Sequence, residues 1–355
     1  MNAAIAVDDG KAEADCDVTT KLNIDCWEMV FTYLEPMEQV QLSKANDYIH
    51  QIFQNYASRR FKNISPSLKK RFTPEIFDDF LQNIGVHVRS YAIPRDITDI
   101  YARSEYFEDK DYEKQIIDLI RFKMYRCQYG RINLEMRHNY SIRRDFEVVV
   151  KHCKYLESFE FGERCLTPSV PYEVICQLPK LQHLFIWTAG PLRNEFLDAL
   201  QSKPGAPMLS LSIKGLPLPK QQIERICDVA SLKQLCVCCD TVPKKALLKL
   251  NQLESLHLTM PSINNDQLFK LVKGLPHLHT LNLRNCSLIT EQFVLDTRDW
   301  MTTNLELRQK LKIYMQGSAI NWESLDTSNK NVVEVINKEE TEIVPLQGEL
   351  NQAYL

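Results

Sequence analysis

Glycine is scarce in this chain of 355 residues: there are ten, and none cluster into a loop that could cradle a phosphate. P-loop and dinucleotide fingerprints are therefore absent, and so are G-x-S-x-G and H-E-x-x-H, which leaves no catalytic residue to nominate. No apolar run approaches the ~18 residues that a bilayer-spanning helix needs, so no membrane partner is expected. The opening MNAAIAVDDGKAEADCD has neither a basic n-region nor an apolar h-region, unlike a secretory signal. Eleven cysteines, an odd number, then read as reduced thiols in the cytoplasm or nucleus rather than a disulfide framework. Charge of one sign is also lacking, since the formal net is −3. Residues 1–21 carry five acids and two lysines, and residues 318–355 carry seven acids and two lysines, leaving +5 between them. That is too dilute for a nucleic-acid footprint.

What is abundant is a repeated pattern of apolar, two polar, apolar, one polar, apolar. The clearest copy is HLHTLNLRNCSLIT, with Leu278, Leu281, Leu283, Cys286 and Ile289 in the key positions. This is the leucine-rich-repeat pattern L-x-x-L-x-L-x-x-N/C-x-L. First apolar positions fall at Val88, Tyr129, Leu156, Leu181, Met208, Leu232, Leu253 and Leu278, with a degraded copy at Arg308, Leu311 and Ile313. Intervals are 21–30 residues except the 41 between Val88 and Tyr129, where a charged insert near 101–115 lengthens one unit. Each copy leads into turn residues and a helical stretch, as in NEFLDALQSKPG, so each coil is a short strand plus a crossing helix. The expected fold is an α/β solenoid, a leucine-rich-repeat horseshoe over residues 66–317 with parallel strands and convex helices. One coil cannot bury its apolar face alone, so stacking supplies the core. The ends, 1–21 and 318–355, are polar, acidic and aperiodic, and read as disordered.

Residues 22–65 repeat nothing and read as three short helices. Asn23 or Asp25 can cap the first, in which Trp27, Val30, Phe31 and Leu34 share one face, and Glu35-Pro36 stops it. Leu22, Asp25, Trp27, Val30, Phe31, Tyr33, Leu34, Glu35, Pro36, Glu38 and Val40 fall in step with the F-box pattern, which this segment resembles. Asn23, Gln39 and Ile49 depart from it, replacing a proline, a leucine and a tryptophan. With the repeats behind it, the chain is similar to the F-box/leucine-rich-repeat proteins. That resemblance implies a non-catalytic substrate receptor of an SCF-type ubiquitin ligase. Its partners would be a Skp-type adaptor, through it cullin and RING subunits, and an unidentified protein substrate, with no cofactor. Leu22, Trp27, Val30, Phe31, Leu34, Pro36, Val40 and Leu42 would meet the adaptor. Physically, so short a segment has more apolar residues than it can hide, and the surplus must cover the first coil or meet another protein. The alternative is an interaction scaffold whose helical start is only a cap. A Phe31→Ala, Leu34→Ala double variant is expected to lose the adaptor with the fold intact.

Side chains alternate along a strand, so positions 3, 5 and 7 of each copy face the concave side. There the candidate substrate contacts are His183, Phe185, Trp187, Lys214, His257, Asn282 and Arg284, with Phe185 and Trp187 an expected exposed aromatic anchor. Lys214 and Arg284 lie three strands apart, about 14 Å, too far to share one phosphate. Cys236 and Cys238, with His257 one strand over, suggest zinc only weakly: they start about 6.6 Å apart along the strand and lack a fourth ligand.

Overall fold

In the computed structural model, residues 22–69, 71–92, 146–162, 170–188, 190–259, 262–284, 286–304, 309–316 and 332–336 are described. Ten strands form one open parallel sheet in chain order. They are β1 (Asn63–Ile64), β2 (Ser90–Ala92), β3 (Ser158–Phe161), β4 (His183–Thr188), β5 (Ser210–Gly215), β6 (Gln234–Cys238), β7 (Ser255–Thr259), β8 (Thr280–Arg284), β9 (Leu311–Gln316) and β10 (Val333–Ile336). Helices α1 (Ile24–Tyr33), α2 (Pro36–Ser43) and α3 (Asp47–Arg60) lead the chain, followed by α4 (Pro66–Lys69) and α5 (Pro74–Ile84). Crossing helices α6 (Asn194–Gln201), α7 (Lys220–Ile226), α8 (Lys244–Leu247), α9 (Asn265–Gly274) and α10 (Glu291–Thr303) connect later strands. A sheet of parallel strands in sequential order, with crossing helices in the returns from β4 to β9, is an α/β solenoid.

The repeat explains the sheet residue by residue. Leu184, Leu211, Leu235, Leu256, Leu281 and Ile313 are register partners across adjacent strands. All are at most 2 % exposed, so they form one apolar row facing the helices. Main-chain bonds continue the ladder at each strand's entry, where Ser210 N–H donates to Gln182 O, Gln234 N–H to Leu209 O and Ser255 N–H to Lys233 O. One glycine is dictated by close approach. Gly215 has φ +113°, and a Cβ there would lie 2.0 Å from the Thr188 carbonyl oxygen.

The leading helices form where their signals place them. Asn23 Oδ1 accepts from Cys26 N–H at 2.8 Å and caps α1, and Pro36 opens α2. Gln39 Nε2 then donates to the carbonyls of Phe31 and Leu34, tying the end of α1 to α2. Aromatic rings carry the core out of this bundle into the coils. Phe31 meets Tyr56, Tyr56 meets Phe61, and Phe61 meets Phe80 of α5 edge-on at 5.2 Å between centroids. From there contacts run through Phe77 and Tyr91 to Phe159.

Two expected boundaries change. The strand array begins at Asn63, inside the segment assigned to the leading helices. Among the described residues it extends to Ile336, because β10 pairs with β9 within the segment that reads as a disordered tail. Val333-Glu-Val-Ile is too short for periodicity to reveal; the open edge of β9 recruits it. The copy at Tyr129, the insert near 101–115 and the segment 1–21 lie outside the described residues, while β2 is bonded directly to β3. No helix among the described residues is long and apolar enough to cross a membrane.

Candidate functional site

Two surfaces carry the chemistry: the outer side of α1 and the sheet face turned away from the helices. On and around α1 and α2 the expected contact residues divide. Trp27, Phe31, Pro36 and Val40 are buried, Val30, Leu34 and Leu42 are half-buried, and Leu22 is exposed. Phe31 is fully enclosed by the chain's own rings, with Phe53 and Tyr56 each 5.5 Å away. The apolar surplus is thus largely absorbed, since α3 supplies a second aromatic layer and α5 closes the bundle from the repeat side. Trp27, Phe31, Pro36 and Val40 are buried within the chain itself, and a Phe31→Ala, Leu34→Ala variant would damage the fold it was meant to spare.

The opposite side of the same helix is exposed. Cys26, Met29 and Tyr33 follow the spacing i, i+3, i+7, which lines them along one face of α1, and Leu22 precedes the helix. Met29 is 61 % exposed and Tyr33 84 %, and Cys26 and Leu22 are exposed beside them, with Ile24 at the margin. The spacing is visible in the sequence, but spacing alone does not say which face of a helix turns inward.

On the sheet face turned away from the described helices the register brings the expected residues into rows. Glu160 pairs with Phe185, Phe185 with Ser212, Ser212 with Cys236, Cys236 with His257, and His257 with Asn282, each across one strand. Phe185 and Trp187 are half-buried rather than fully open. Trp187 Nε1–H donates to Glu160 Oε1 at 3.3 Å, and Lys214 Nζ lies 5.5 Å from the centre of the Trp187 ring. A carboxylate, an indole and an ammonium are therefore already matched to one another. His257 and Asn282 are floor rather than open contacts, 5 % and 2 % exposed, because neighbours one strand away at ~4.8 Å close over them. His183 is half-buried, and burial holds its imidazole below the usual range. Lys214 is the one expected cation whose side chain is described here; Arg284 occupies its register position opposite Thr259.

Among the described residues every cysteine except the exposed Cys26 is a buried thiol. Burial pushes Cys153, Cys176, Cys227, Cys239 and Cys286 up to about 12, and Cys238 to about 11. Among the described residues no group of three or more His, Cys, Asp or Glu side chains could hold a metal ion. Between β5, β6 and β7 a shallow cleft is lined by Ser210, Ser212, Gln234, Cys236 and Ser255. No known family model matches the chain, and no curated protein matches it.

Proposed function

We propose that this chain is a non-catalytic substrate receptor of an SCF-type cullin–RING ubiquitin ligase. The outer face of α1 would dock a Skp-type adaptor, and the sheet face turned away from the described helices would hold a protein substrate. The observation that carries the first half is the exposed stripe Cys26, Met29 and Tyr33 on α1, with exposed Leu22 just before the helix, while Trp27 and Phe31 on the other side are buried. A terminal unit that only capped the coils would have no need of apolar residues on its outer side. The mechanism is proximity: tethering raises the local concentration of a substrate lysine near a ubiquitin thioester, and this chain performs no bond chemistry.

A second reading, an interaction scaffold, is favoured by the unbroken aromatic packing from Phe31 to Phe80, which is how a simple cap would be built. Co-expression with a Skp-type adaptor separates the two. The receptor reading expects a stable complex that Met29→Asp with Tyr33→Asp abolishes while the circular dichroism spectrum is retained. Absence of a complex with the wild-type chain would leave the scaffold reading in its place.

A further inference from the structure

A ridge of rings runs along β4 on the sheet face turned away from the described helices. His183, Phe185 and Trp187 alternate with the buried Leu184, Ile186 and Thr188, so all three stand on that face, each half-buried. Their register neighbours are mostly small: Ser158 on β3, and Ser210 and Ser212 on β5. The two exceptions are charged. Glu160 sits opposite Phe185, and Lys214 opposite Trp187. Burial holds His183 below its usual range, so it adds no charge at neutral pH.

The two charges differ in what remains open on them. Glu160 Oε1 accepts from the indole N–H, which holds the carboxylate at the ring's edge. Lys214 Nζ lies over the ring, 5.5 Å from its centre, a contact that occupies none of its three N–H donors. Among the described residues Lys214 makes no ion pair and donates no hydrogen bond. It is half-buried but not sealed, since the partnerless polar atoms cut off from water belong to other residues.

That ammonium decides what can lie on the ridge. A wholly apolar partner would strip its remaining water and return nothing. A basic partner would meet like charge. A phosphate is best held by clustered cations, and Arg284, the next cation in that row, is three strands away, about 14 Å. A single carboxylate matches it charge for charge. Glu160, of the same sign and roughly 10 Å away across two strands, keeps the acid on the β5 side of the ridge.

Resting on the reading of this face as the substrate surface, we infer that it recognises an extended segment of the partner protein carrying an apolar side chain and a carboxylate two residues apart. The apolar side chain packs on Phe185 and Trp187, and the Asp or Glu accepts from Lys214 Nζ. Phe185 and Lys214 are one strand across and two residues along, about 8 Å, while side chains i and i+2 of an extended chain lie ~6.6 Å apart on one side. The reach of the lysine stem covers the difference.

The test is a library of nine-residue peptides with Leu at the centre, in which the positions two residues before and after it are Asp, Glu, Asn, Lys or phosphoserine. Binding to the full chain is read by fluorescence anisotropy. The expected result is selection of Asp or Glu on one side of the Leu, with affinity falling roughly tenfold in Lys214→Gln. Lys214→Glu should turn the preference at that position to Lys. Both variants should keep the wild-type Tm, because an ammonium without an ion pair adds little to folding. Added salt should weaken the wild-type complex and spare that of Lys214→Gln. Selection of Asn, Lys or phosphoserine, no selection, or an acid preference that survives Lys214→Glu would overturn the inference. Adaptor co-purification from the same preparations keeps the two readings apart. Acid selection without the adaptor strikes only the ligase reading, and the adaptor without acid selection strikes only this one.

Discussion

Phe31 and Tyr33 are two residues apart on α1 and should behave as opposites. Phe31 is fully buried, with two aromatic rings 5.5 Å from its own. Truncating a packed Phe to Ala costs about 3–5 kcal/mol through lost transfer energy and the cavity left behind. The two ring pairs, each worth about 0.5–1.5 kcal/mol beyond area, push the figure toward the upper end. Tyr33 is 84 % exposed, so Tyr33→Ala should change stability by no more than ~0.5 kcal/mol. Because the bundle joins the coils at one end only, the loss in Phe31→Ala should be local. Native-state amide exchange reads this directly: protection across α1 and α3 should fall sharply while β4–β8 stay protected. Adaptor recovery should reverse the order, with Tyr33→Ala, combined with Met29→Ala, weakening it at unchanged stability. If Phe31→Ala costs under ~1 kcal/mol, the packing account of the bundle is wrong, because no cavity would have formed.

Gly215→Ala should destabilise the array by several kcal/mol, since φ +113° and a 2.0 Å approach to the Thr188 carbonyl leave a side chain no room; thermal unfolding against Gly190→Ala, where nothing lies within 4 Å, gives the contrast. Burial lowers the pKa of both His152 and His183, so the unfolded chain binds protons more readily than the folded one. Stability should accordingly be full above about 6.5 and fall as pH drops through the depressed folded values, with His183→Gln flattening a urea titration there. In the native chain iodoacetamide should modify Cys26 and spare Cys153, Cys176, Cys227, Cys239 and Cys286, whose thiols burial holds up at about 12; peptide mapping before and after denaturation reads the difference. Ending the chain after residue 331 should expose the edge of β9, which pairs with β10 from Leu311 to Tyr314, and promote self-association visible by light scattering.

The repeat architecture was legible because it is local and redundant. Leu281 and Leu283 must point the same way as Leu256 and Leu258 whatever the rest of the chain does, since alternation along a strand fixes the face. The same reasoning placed Glu160, Phe185, Ser212, Cys236, His257 and Asn282 in one row, and the register agrees. How deep each side chain sits was not legible. Burial of Asn282 depends on neighbours supplied by strands β7 and β9, distant in sequence, and the same holds for the buried Ser255. On α1 the sequence showed two apolar stripes, one through Trp27 and Phe31 and one through Cys26, Met29 and Tyr33. Which stripe turned inward was decided by tertiary packing, because only the arrival of Phe53 and Tyr56 from α3 gives Phe31 its aromatic partners. Periodicity is a property of one segment, and it determined the faces; burial is a property of at least two, and only the assembled coils could choose between them.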